Sequence, residues 1–328
     1  HRYWLAMGAD INYIQNITDI DDPLLERANR DGVDWKVLAH SQIDLFRSDM
    51  QHLRILPPTH YEGAVDAIPD VVQAISKLAE KGAAYDIDTD KYFEVHKDEQ
   101  FGTESHFSNS QMLKIFAERG GDPNRTGKRD PLDALLWLSH RDGEPAWDSE
   151  FGAGRPGWHI ECSAMSARYL GEHFDIHGGG MDLLFPHHEC EIAQSSAAHN
   201  HTPAKYWVHH NMITINGQKM AKSLGNGIMV DELFSGKNPL LDQAYSPMTL
   251  RFFVLQAHYR GTLDFSNDAL LAAQKGWNRL QSTFKLIEGL PTVNANATCV
   301  VDDLVSGIQE SLNEDLNTPQ AIAHLFEL

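Results

Sequence analysis

Two periodicities alternate along the chain, one of three to four residues and one of two, and their order predicts the architecture. Residues 1–6 read as the end of a helix stopped near Gly8, a residue suited to the left-handed position after a helix. Residues 11–17 are β-branched and aromatic, which predicts a buried strand. Asn16 to Asp22 ends it, and Asp22-Pro23 supplies an N-cap followed by proline at the first helical position. Strand, polar turn and helix in that order form the first half of a doubly wound unit. Val37, Leu38, Ile43, Phe46, Met50, Leu53 and Leu56 set a long helix over 35–56, which Pro57-Pro58 stops. A second helical pattern covers 64–81 and ends at Gly82, and 84–95 alternates around Asp88-Thr89-Asp90 as a hairpin.

Between 101 and 150 Gly, Asp, Pro and Arg dominate, with one short helix predicted near 111–118. The stretch from about 35 to 150 therefore reads as an insertion between two halves of a sheet. From Trp158 to Ser223 the pattern is helix, strand, helix, strand, with strands at 174–177 and 206–215. Residues 247–257 and 265–290 are helical, 291–298 form a polar linker, and 300–328 hold two more helical pieces around Asn317-Thr318-Pro319. The expected fold class is α/β. A Rossmann-like parallel sheet with an insertion occupies 1–290, its last part helical from about 230, and 300–328 begin a truncated C-terminal helical domain. Because the chain opens mid-helix, an N-terminal part is expected to be missing.

At 328 residues, 42% hydrophobic and 22% charged, the composition is that of a globular protein with more than one structural unit. No apolar run approaches the ~18–20 residues of a membrane span, and no signal peptide precedes the first helix. Three irregularly spaced cysteines argue for a reducing compartment, so the expectation is a cytoplasmic monomer with no membrane partner. The net charge of −19 opposes indiscriminate nucleic-acid binding but leaves room for one basic groove.

Candidate chemistry concentrates after Trp158. His187 and Glu191 stand four apart on a segment that Pro186 starts as a helix, so both project from one face. Cys162 lies on a different predicted helix. Thiolate, imidazole and carboxylate all bind zinc, and a catalytic zinc keeps a position open for substrate. A His-x3-Glu pair alone is more often an exposed helical pair, and a lone cysteine a small core residue. The clusters around them tip the reading to a metal. His188 and Cys190 point away on a helix and read as packing groups. Gly178-Gly179-Gly180 follow a strand and suit a turn against a nucleotide, with Asp182 placed to accept from ribose hydroxyls. Lys219 and Lys222 sit on a loop that Gly217 and Gly225 allow to move, suited to charge developing on phosphates.

These clusters resemble those of cysteinyl-tRNA synthetase, a class I aminoacyl-tRNA synthetase. The resemblance rests on Gly-Trp-His-Ile-Glu-Cys, Asp-Ile-His-Gly-Gly-Gly-x-Asp, Phe-Pro-His-His-Glu-x-Glu and Lys-Met-Ala-Lys-Ser, the last similar to a KMSKS loop with Ala221 at its middle serine. It implies one Zn2+ held by Cys162, His187 and Glu191, with the family's first cysteine ligand and HIGH motif lying before His1. It implies substrate contacts from Trp158 and His177, and ATP contacts from Gly178, Gly179, Gly180, Asp182 and Lys222. L-cysteine would bind zinc through its thiolate and be activated by ATP with Mg2+, aided by Lys219 and Lys222. It would then pass to tRNA(Cys); Trp277, Arg279 and Lys285 on the helix after Phe265 are candidates to touch phosphates or bases, with exposed helix positions as the plainer account.

Residues up to about Cys162, including Thr18-Asp-Ile-Asp-Asp-Pro23 and Phe116-Ala-Glu-Arg-Gly-Gly-Asp122, are closer to a paralogue, the mycothiol-pathway cysteine ligase, which transfers cysteine to an amino sugar. That paralogue typically has Gln in place of His177 and lacks Glu191. Weighing the metal half more heavily favours the cysteine–tRNA ligase, with cysteine:amino-sugar ligation as the alternative. A non-catalytic zinc module is disfavoured, since structural zinc sites are normally closed by four protein ligands.

Overall fold

The structure is a computed structural model that describes residues 1–221, 224–289 and 299–327. Lys222, Ser223 and the linker expected over 291–298 lie outside the described residues. The chain divides into two compact units, one of residues 11–45 and 57–209, the other of 1–10, 46–56 and 210–328.

A short helix, α1 (Arg2–Ala6), belongs to the second unit. In the first, β1 (Ile14–Ile17) runs parallel to β2 (His60–Gly63), with Ile14 opposite His60 and Ile17 opposite Gly63. The strand expected over 11–17 is shorter because pairing begins only at Ile14. Its partner β2 lies in the stretch between the helix stop at Pro57-Pro58 and the helical pattern that begins at residue 64, and has no strand signature of its own. Between them in the chain come α2 (Asp22–Asp31) and α3 (Trp35–His52), whose residues from Phe46 on belong to the second unit. Asp21, not Asp22, caps α2: its carboxylate accepts from Leu24 N at 2.7 Å. The helix predicted over 64–81 starts at Ile68 as α4 (Ile68–Glu80), which buries Val71, Ile75 and Leu78.

The predicted insertion contains more sheet than its composition suggests. β3 (Ala84–Ile87), β4 (Asp90–Phe93), β5 (Ala134–Ser139) and β6 (Gly154–Pro156) form one antiparallel sheet in sequence order, with α5 (Asn109–Glu118) between β4 and β5 in the chain. β5 reads Ala-Leu-Leu-Trp-Leu-Ser and buries Leu136 and Trp137 completely. After it come α6 (Trp158–Leu170), β7 (Phe174–Gly180), α7 (Glu189–His199) and β8 (Ala204–His210). β7 and β8 pair with each other. Phe174 N donates to Pro203 O at 2.8 Å and Gly178 lies beside Val208, so both positions advance together and the strands are parallel. Ile75, Trp137, Ile160, Phe185 and Ala193 join α4, α6, α7 and the antiparallel sheet in one core.

In the second unit β9 (Ile213–Ile215) pairs antiparallel with β10 (Gln218–Lys219) and parallel with β11 (Leu263–Phe265). The single strand expected over 206–215 is thus two strands in different sheets, parted at Asn211, whose side chain accepts from Met212 N and donates to Arg260 O. Helices α8 (Val230–Ser235), α9 (Pro247–Leu255), α10 (Asn267–Glu288), α11 (Cys299–Asn313) and α12 (Thr318–Leu325) complete the unit. Two of the proposed nucleic-acid contacts on α10 have packing roles: the Trp277 ring lies 6.1 Å from that of Phe252, and the Arg279 guanidinium lies over Phe326. No helix among the described residues is long and apolar enough to cross a membrane.

Candidate active site

The site is built at the start of α6, the end of β7 and the start of α7. Gly157 is the N-cap of α6, and only glycine fits there, since an added Cβ would stand 2.0 Å from Leu135 O. That close approach seats the first turn of α6 on β5 and buries His159 and Cys162 while Trp158 stays 41% exposed. On the other side, Phe185 is extended and the five residues Leu184–His188 form a wide π-type turn before α7 begins at Glu189. The helix expected from Pro186 therefore starts regularly only three residues later, yet His187 and Glu191 still share a face.

Cys162, His187 and Glu191, all buried, each offer one ligand atom, and these atoms lie within 4.8 Å of one another. His187 Nε2 is 2.9 Å from Glu191 Oε1, but no hydrogen bond joins them and that oxygen is buried without any other partner. That orphaned buried oxygen, grouped with the His187 nitrogen and the Cys162 sulfur, marks a position where a cation would find three ligand atoms. Sulfur, imidazole nitrogen and carboxylate oxygen make a donor set that zinc accepts, so these residues fit the ion. His187 Nδ1 shares a hydrogen bond with His159 Nδ1 at 2.9 Å, which leaves Nε2 free for it. Burial pushes His187 down to about 3, and holds His159 well below its usual range, so both rings are neutral. Burial pushes Glu191 up to about 7, and drives the Cys162 thiol well above its usual range with help from Glu191 and Glu161. Without a cation, Cys162 keeps its proton.

A second convergence involves His177, His188 and Glu191, whose ligand atoms also lie within 4.8 Å. His188, expected to point away as packing, is held by His209 at 2.8 Å and sits at the site because the wide turn rotates it inward. Burial, then the neighbouring histidines, depress it to about 2. His177 lies 3.4 Å from Glu191 Oε2 and stacks on Trp207 at 4.4 Å, as Trp158 stacks on His187 at 4.4 Å. Cys190, as expected, is wholly buried.

The glycines do not form a turn. Gly178, Gly179 and Gly180 belong to β7, and Gly179 is needed because an added Cβ would lie 2.8 Å from the His188 ring. Asp182 is exposed, and its carbonyl, with that of Phe185, accepts from the Arg119 guanidinium. Lys219 is exposed at the end of a hairpin in the second unit. Asn216 and Gly217 both have positive φ, 49° and 75°, and make a two-residue turn, so Gly217 closes a hairpin instead of loosening a loop. Lys222 lies outside the described residues.

Sequence reasoning missed His159, Trp207, His209, Arg119 and Glu189. Glu189 is buried and accepts from Gly102, Glu104 and Ser105 N, tying the loop of the antiparallel sheet to α7. The Asn216-Gly217 pair was a readable signal for its hairpin; the others become site residues only through tertiary packing.

Residues 1–275 match the family described as "tRNA synthetases class I (C) catalytic domain", and residues 307–328 match the DALR domain. Among solved structures, Mycobacterium tuberculosis methionyl-tRNA synthetase in complex with methionyl-adenylate aligns with 99% of this chain and 75% of that one, with a TM-score of 0.67 at 13% identity. That likeness establishes the Rossmann-like fold. Among curated proteins, the L-cysteine:1D-myo-inositol 2-amino-2-deoxy-alpha-D-glucopyranoside ligase of Corynebacterium diphtheriae is 46% identical over 99% of this chain and 76% of its own length. The ligases of the same name from Corynebacterium kroppenstedtii and Thermomonospora curvata are 48% and 45% identical over 98% of this chain, covering 61% and 74% of their own lengths.

This corrects the expected cysteine–tRNA ligase. The similarity to amino-sugar ligases runs through both halves, including the metal half on which the tRNA reading rested. His177 and Glu191, on which the tRNA reading leaned, both lie in the candidate metal cluster. The chain belongs to the class I (C) tRNA-synthetase catalytic-domain family, as one of its ligases.

Proposed function

We propose that the protein uses ATP to join L-cysteine to the amine of 1D-myo-inositol 2-amino-2-deoxy-α-D-glucopyranoside. One observation carries this reading: relatives of that name are 45–48% identical over 98–99% of the chain. In the first half-reaction the cysteine carboxylate attacks the α-phosphorus of ATP and pyrophosphate leaves. In the second, the amino-sugar nitrogen attacks the acyl carbon, an amide forms and AMP leaves with one proton released.

Cys162, His187 and Glu191 would hold a zinc ion, whose chemistry is to take the substrate's thiolate and so select cysteine over serine. His187 stays neutral and presents Nε2, while His159 fixes its tautomer from the other side. Trp158 stacks on His187 and covers the ring from solvent. His177, braced by Trp207, approaches the free side of Glu191 and orients that carboxylate. Lys219 would meet phosphate charge. Its carbonyl accepts from the Asn226 amide, whose oxygen in turn accepts from Ala221 N, which holds the backbone at Lys219 and Ala221 while the Lys219 side chain stays exposed. Lys219→Ala is expected to slow cysteine-dependent ATP–pyrophosphate exchange by about 10- to 100-fold with little change in cysteine KM. The opposite pattern would make the loop part of the cysteine pocket.

The reading is tested by AMP release. With cysteine and ATP alone the enzyme should release about one pyrophosphate per site and hold the adenylate, and adding the amino sugar should start steady AMP release. AMP release indifferent to the amino sugar would exclude it as the acceptor.

A further inference from the structure

Ser163 and Gln194 are buried polar residues that none of the steps above uses. Ser163 follows Cys162 on α6, and Gln194 lies three residues after Glu191 on α7. Ser163 Oγ donates to Gln194 Oε1 at 2.9 Å, and among the described residues this is the one hydrogen bond that joins α6 to α7. Otherwise the two helices share an apolar core of modest side chains, to which Ile160 and Ala164 of α6 and Ala193 and Ala198 of α7 belong. On the side facing α4 that core does not close. A cavity of about 360 Å³ opens there, lined by Ala74 and Leu78 of α4, Ser163 and Ala167 of α6, and Gln194 and Ser195 of α7. Close packing is what normally fixes the spacing of two helices, and beside Ser163 it is incomplete.

Stability does not account for the amide. Gln194 is 1% exposed, and its Nε2 is buried without a hydrogen-bond partner. An unmet buried N–H lowers stability, whereas an apolar side chain of the same length would leave nothing unpaired. The Ser163 hydroxyl would keep a partner, because it also stands 3.2 Å from His159 O and is free to donate there instead. What the amide supplies is direction: one hydrogen bond of set length and angle between two helices whose packing is slack. α6 carries Cys162 and α7 carries Glu191, so this bond fixes how far the thiol stands from the carboxylate. Resting on the zinc reading of that site, we infer that Ser163 and Gln194 are positioning residues that hold the Cys162 and Glu191 ligand atoms at the separation the ion needs.

The test uses the full chain with zinc alone as ligand. Affinity is measured by competition against a chromophoric chelator, and thermal midpoints are taken on the metal-free protein. Gln194→Leu should weaken zinc binding about tenfold or more while the midpoint stays level or rises, the pattern of a residue kept for geometry at a cost in stability. Ser163→Ala, the milder change, should weaken zinc binding to a similar degree. The double variant should bind no more weakly than the weaker single one, since both remove the same bond. Unchanged zinc affinity in both single variants would overturn the inference. So would affinity and midpoint falling together in Gln194→Leu, which marks plain packing, or losses that add in the double variant. The unmodified chain is measured first. If it binds no zinc, the metal reading falls and takes the inference with it; zinc bound equally by the unmodified chain and the variants removes the inference alone.

Discussion

At His187 the burial that positions the ring also keeps it neutral, and the same holds for His159 and His188. Each has a folded pKa below its unfolded value, so the unfolded chain takes up protons below about 6.5 that the folded chain refuses. Glu191 works the other way: raised to about 7, it favours the folded state at low pH and loses that contribution as pH climbs through 7. Burial raises Glu161 in the same sense, and the three histidines still outweigh the two carboxyls. The metal-free protein should therefore lose stability as pH falls from 6.5 to 5, seen as a lower urea midpoint, and His188→Gln should flatten that slope. A midpoint that rises over this range would mean the histidines are not buried neutral. Zinc uptake at pH 7 should release roughly one to two protons, because Cys162 arrives as a thiol and Glu191 is partly protonated. Calorimetry in buffers of different ionisation enthalpy reads that number directly, and zero release would exclude Cys162 as a ligand. The convergence of Cys162, His187 and Glu191 was legible in the sequence because residue type and spacing single out groups of that chemistry. His159 and His209 were not, because helix packing and strand pairing bring them to the site.

At the scale of elements, the wide turn before α7 and the glycines of β7 depend on each other. His188 turns inward only because Gly179 leaves room for its ring. Gly179→Ala should cost about 1–3 kcal/mol through overpacking and lower the thermal midpoint by several degrees. An unchanged midpoint would show that the ring can move aside. The long helices were readable from their periodicity, and the Ala84–Phe93 hairpin from its alternation. β5 was hidden because a strand buried on both faces does not alternate, and its flanks carry the Gly, Asp and Arg of a loop. β2 was hidden because its four residues become a strand only through β1. The break at Asn211 is likewise set by the partners its side chain finds.

Across the whole molecule, a fold shared with a methionyl-tRNA synthetase serves a chain whose curated relatives are named for a sugar acceptor. The net charge of −19 suits a small-molecule acceptor better than a polyanion. Trp277 and Arg279, which the sequence offered to RNA, are engaged in packing by Phe252 and Phe326. The acceptor was the least legible feature because the motifs read from the sequence were ones that the expected tRNA ligase and the amino-sugar ligase could share. The most direct test is therefore a single reaction in which the zinc-loaded full chain, labelled cysteine and ATP meet the amino sugar and folded tRNA at equal concentration. The label should appear in the cysteinyl amide of the amino sugar, with none on tRNA. Label on tRNA with no amide would contradict the account.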